Sequence, residues 1–107
     1  MNNKIIEKEI EKNSSKLKQL VELKELILRG ANGFDVLFEI ERNYQLTYIF
    51  DKIDKSILME IGKHKILNND ENSLGNEILI TLNSQIFSLE QNIKYLNYKL
   101  KRVSNLK

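Results

Sequence analysis

Apolar residues recur along this chain at helical spacing, most regularly toward its C-terminal end. Leu79, Leu82, Ile86, Leu89, Ile93, Leu96, Leu100 and Val103 alternate steps of three and four. Such a run keeps one apolar stripe on one side of a helix, the seam of left-handed coiled-coil packing. The pattern predicts a helix near 73–104, with Ser73 as its N-cap. An earlier stripe, Ile6, Ile10, Leu17, Leu20, Leu23 and Ile27, predicts a first helix near 3–29. Asn13-Ser14-Ser15 puts three poor helix-interior residues inside that stripe. Residues 1–12 are therefore expected to fray, or to form an arm that orders on a partner. Between the two, residues 33–62 read as a second helix, with Asn32 as cap and Asp35 in its first turn. From Phe34 through Tyr44, Tyr48 and Phe50 to Ile61 this segment is apolar over more than half its circumference. A helix so apolar sits between two neighbours or keeps a face for a partner.

Two joins separate these elements: Gly30-Ala31-Asn32-Gly33, and Gly62 followed by the polar run Asn68 to Ser73. Short joins make neighbouring helices antiparallel. The expected fold is all-α, one domain over residues 1–107, built as an elongated three-helix up-down-up bundle with coiled-coil-like packing. A length of 107 residues suits one core, and the chain contains no proline to interrupt it. Abundant Asn, Lys and Ile suggest an AT-rich bacterial or phage genome. With no cysteine there is neither a disulfide nor a thiolate metal site. The N-terminus reads Asn2-Asn3-Lys4 and then alternates charged and apolar residues, without the apolar core of a signal peptide. Nor is any apolar run long enough to span a bilayer. The expected location is the cytoplasm, with no membrane contact.

Residues that carry chemistry are sparse. The one histidine, His64, stands between Lys63 and Lys65 and reads as solvated. Asp51 and Asp54 are one helical turn apart, and Asp70 and Glu71 are adjacent in a loop. None has the companion ligands that zinc or calcium requires. No glycine-rich phosphate loop follows a strand. The chain is therefore read as a non-enzyme, with no catalytic residue, metal, cofactor or small-molecule substrate. Net charge is +2, unevenly spread: −5 over residues 35–90 and +5 over 91–107. Basic residues interleaved with Tyr95 and Tyr98 resemble a nucleic-acid surface. The domain as a whole is not strongly basic, however, and the tail reads better as a solvated face complementing the helix dipole.

The last helix offers a second stripe. With the seam at positions a and d, Ile80 and Phe87 fall at b, Tyr95 at c and Tyr98 at f. These positions normally face water. Packing against both other helices would bury Ile80 and Phe87. The alternative is a surface for a partner protein's amphipathic helix, made by Ile80, Phe87, Tyr95 and Tyr98 with neighbouring Leu100 and Val103.

The stretch Leu26-Ile27-Leu28-Arg29-Gly30-Ala31-Asn32-Gly33-Phe34-Asp35-Val36-Leu37, continuing to Leu46, resembles the FlgN/FliT-type flagellar export chaperones. So do the later Asp51-Lys52-Ile53-Asp54 segment and the loop from Asn68 to Asn72 before a long basic final helix. The resemblance covers roughly residues 16–104. It implies a bacterial chaperone that binds the terminal helices of a filament-cap or hook-associated protein. Such a chaperone keeps its client unpolymerised before type III export. A competing reading is a phage- or plasmid-type inhibitor, immunity protein or antitoxin that occludes a nuclease or toxin through the acidic middle of the chain. A coiled-coil homodimer through the last helix is a third arrangement.

Overall fold

The computed structural model describes residues 3–67 and 74–105, so Ser73 and the Asn68–Asn72 loop lie outside it. The regular elements among the described residues are all helices: α1 (Asn3–Leu28), α2 (Gly33–Arg42), α3 (Tyr44–Ile49), α4 (Lys55–Ile61) and α5 (Leu74–Asn105). The all-α expectation holds. In place of the three-helix bundle there is a long antiparallel hairpin of α1 and α5, with α2 and α3 laid against one half of it and α4 packed on α2.

Helix α1 passes through Asn13-Ser14-Ser15 without a break. Asn13 continues the steps of three and four between Ile10 and Leu17, and so falls on the inner stripe, where it is only 4% exposed. The helix stops at a left-handed glycine, Gly30, with φ of 98°. There the Gly30 N–H donates to the Ile27 carbonyl, and the Ala31 N–H to the Leu26 carbonyl. This paired closure satisfies carbonyls that a helix end otherwise leaves open.

The segment 33–62 breaks twice, because local side chains outcompete helix continuation. Asn32 caps α2 reciprocally: its side chain accepts from the Asp35 N–H at 2.8 Å, and the Asp35 carboxylate accepts from the Asn32 N–H. At Asn43 the backbone is extended, and the side-chain oxygen takes the N–H groups of Gln45 and Leu46, starting α3 afresh. Asp54 does the same for α4, accepting from the Ser56 N–H and hydroxyl. Gly62, at φ of 56°, then ends α4.

The chain returns to α5 beside the point where it left α1. The Ile66 N–H donates to the Ala31 carbonyl at 3.0 Å, and Asn32 and Lys65 form an isolated antiparallel bridge. Two glycines permit this closure by close approach alone. A methyl at Gly33 would meet the Leu58 carbonyl, and one at Gly75 the Ile66 carbonyl. The core draws on every element: Leu20, Leu23 and Ile27 from α1, Val36 and Ile40 from α2, Leu46 from α3, Leu58 from α4, and Ile78, Leu82 and Ile86 from α5. Phe50 and Ile66 close it from the connecting turns. The molecule measures 58 × 24 × 22 Å, and its length is set by the hairpin.

Candidate protein-binding surface

The core-facing side of α5 fixes what its other side can do. Ile78, Leu82 and Ile86 are buried, and Leu89, Ile93, Leu96, Leu100 and Val103 continue their line half-buried. At about 100° per residue, Ile80, Phe87, Tyr95 and Tyr98 fall in one stripe nearly opposite that line. They are 69%, 63%, 57% and 60% exposed. Helix α5 is therefore two-faced, and no other described element covers the outer stripe. The six expected partner-binding residues divide accordingly. Ile80, Phe87, Tyr95 and Tyr98 share the outer face, whereas Leu100 and Val103 belong to the inner seam. Lys99 lies 5.4 Å from the centre of the Tyr95 ring, a cation–π contact at the stripe's basic end.

A second apolar surface comes from the broken middle segment. Tyr44 and Tyr48, one turn apart on α3, point outward beside α1 and α5. With Ile49, Leu89, Lys12 and Lys16 they line a cleft of ≈ 430 Å³. A continuous helix over 33–62 hides this feature, since the cleft exists only because α3 is short and ends beside the hairpin. Its signal in the sequence was Asn43, a strong cap former in the middle of an apolar run. On α2, Phe38 is also exposed, with the Arg42 guanidinium 5.7 Å from its ring centre.

The polar candidates find structural employment. The His64 carbonyl accepts the Gly33 N–H at 3.2 Å, while its side chain is exposed. Asp54 is a helix cap, and the Ser56 hydroxyl and N–H hold its carboxyl below the usual carboxylate range. Asp51 lies exposed in the preceding turn, not on a shared helical face. No group of three or more His, Asp or Glu residues among the described ones converges as a metal site would require. No helix among them is long and apolar enough to cross a membrane.

The described residues thus form a rod of helices with an uncovered apolar stripe and an apolar cleft. No family model, curated protein or solved structure matches the chain.

Proposed function

We propose that this protein is a helical chaperone that holds a helix of a partner protein on the outer face of α5. The carrying observation is the alignment of Ile80, Phe87, Tyr95 and Tyr98 opposite the core seam. From Ile80 to Tyr98 the stripe runs about 27 Å at 1.5 Å per residue, roughly the contact length of a five-turn amphipathic helix. A client helix bound there is shielded from the partners it would otherwise polymerise with. The resemblance of residues 16–104 to flagellar export chaperones names the client class to try first, a filament-cap or hook-associated protein held in the cytoplasm before export.

The inhibitor reading would use the acidic middle of the chain, where residues 35–90 carry ten acids and five bases. Residues 33–67 alone carry six acids and five bases, so the surplus is Asp70, Glu71, Glu77 and Glu90. Ion pairs join Glu39 to Arg42 and Glu41 to Lys55. The test is client affinity of the double variant Phe87→Ala, Tyr98→Ala. Both side chains are exposed, so the fold should survive, which circular dichroism checks. The expected result is at least roughly tenfold weaker binding. Unchanged affinity in a folded variant would remove the stripe as the site.

A further inference from the structure

Burial along the α1–α5 seam changes halfway. Where α2 and α3 lie against the hairpin, with α4 on α2, Leu20, Leu23, Ile27, Ile78 and Leu82 are sealed from solvent. Past the end of α3 the α1 side of the seam still buries Ile6 and Asn13, but on α5 the continuing heptad leaves Leu89, Leu96 and Val103 only half-buried. A third layer covers one half of the hairpin only. The ≈ 430 Å³ cleft marks the step, walled by Tyr48 and Ile49 of α3, Leu89 of α5, and Lys12 and Lys16 of α1. Leu89, Leu96 and Val103 recur every seven residues, so the apolar floor continues from the cleft toward the free end.

Charge identifies what fits there. Residues 3–18 and 91–105 form the free half of the hairpin and carry nine basic and three acidic groups, a net charge of +6. Lys8, Lys12 and Lys16 repeat every four residues along α1. Among the described residues, none of these three has an ion-pair partner. Two copies laid hairpin to hairpin would set +6 against +6, which selects against self-association at this site. A helix with one apolar stripe flanked by Glu or Asp meets both the floor and the rim.

We propose that this step is the seat of an acidic amphipathic helix from a partner protein, laid end-on to α3 and completing the missing layer. Leu89 to Val103 spans about 21 Å, so the occupant presents about 14 residues. This seat is separate from the outer stripe of α5 and shares with it only the premise that the protein binds helices.

The test uses the full-length protein and a labelled peptide of about four turns, with leucines at i, i+3 and i+7 spacing and glutamates flanking them. A twin peptide carries lysine in place of each glutamate. Anisotropy should show the acidic peptide binding at least roughly tenfold more tightly than its twin, and weakening with salt. The variant Lys12→Glu, Lys16→Glu should lose roughly tenfold in affinity, while Phe87→Ala, Tyr98→Ala should bind as the parent does. Amide shifts on titration should concentrate at residues 44–49, 12–16 and 89–103. Equal binding of the two peptides, no binding of either, or indifference to the lysine reversal would overturn the proposal. So would equal displacement by a single-stranded oligonucleotide, which would mark a general polyanion surface. If binding is lost in the Phe87/Tyr98 variant instead, this seat falls while the reading of the outer stripe stands.

Discussion

Gly33 shows how far one residue sets the architecture. Its N–H reaches the His64 carbonyl, and the space a side chain would fill is occupied by the Leu58 carbonyl and the Gly62 amide. Gly33→Ala should therefore force α2 away from α4 and cost about 1–3 kcal/mol, read from urea unfolding at constant slope. Asp54 gives a pH signature of known sign. Hydrogen bonds from Ser56 lower its pKa in the folded state, so the stability it contributes is present above the unfolded value. That contribution is lost as pH falls through the folded value. The urea midpoint of the parent should fall on acidification below about pH 4, and Asp54→Asn should remove part of that fall. A parent and variant with parallel pH profiles would show that the cap carries no such linkage. Both residues could be noticed in the sequence, but with opposite success. Gly33 was recognisable as part of a join, whereas Asp54 was read as half of an acidic pair on a helix face.

At the scale of elements, the seam of α5 was legible because eight apolar positions in strict three–four alternation leave one solution. The hairpin half of the fold follows from it and from the stripe of α1. The middle segment was misread for a physical reason. Periodicity reports which face is buried, and Val36 and Ile40 of α2 with single leucines from α3 and α4, Leu46 and Leu58, read as one continuing inner face. Only the caps Asn43 and Asp54 reveal the breaks, through short-range hydrogen bonds that a count of apolar positions does not register. The outer stripe of α5 is legible as four residues off the seam, and spacing alone already sets Leu100 and Val103 apart from it at seam positions. Asn13 is the instructive misfit. It sits in the seam, almost wholly buried, and its Nδ2 has no hydrogen-bond partner. An unsatisfied buried amide costs about 1–3 kcal/mol, so Asn13→Leu should raise thermal stability by about 1–2 kcal/mol. A destabilised Asn13→Leu would mean that the amide is satisfied in solution.

The whole molecule is a rod with two unequal halves. One half has the short helices over the hairpin and a sealed core. The other is a basic two-helix extension that buries Ile6 and Asn13 of α1 but leaves Leu89, Leu96 and Val103 of α5 half-buried. Local stability follows buried apolar contact. Amides of residues 16–28 and 78–89 should therefore exchange with hydrogen more slowly than those of 3–12 and 93–105. Uniform protection from end to end would contradict a two-part rod. Binding at the extension should slow exchange there first, since a partner helix supplies the missing cover.

The most direct measurement is affinity capture of the tagged full-length protein from its source cells, parent beside the Phe87→Ala, Tyr98→Ala variant, read by mass spectrometry. The expected result is a defined partner whose amphipathic helix alone binds the purified protein, recovered with the parent and depleted with the variant. Equal recovery of every protein by parent and variant would contradict it, as would capture of a nuclease or toxin released by salt.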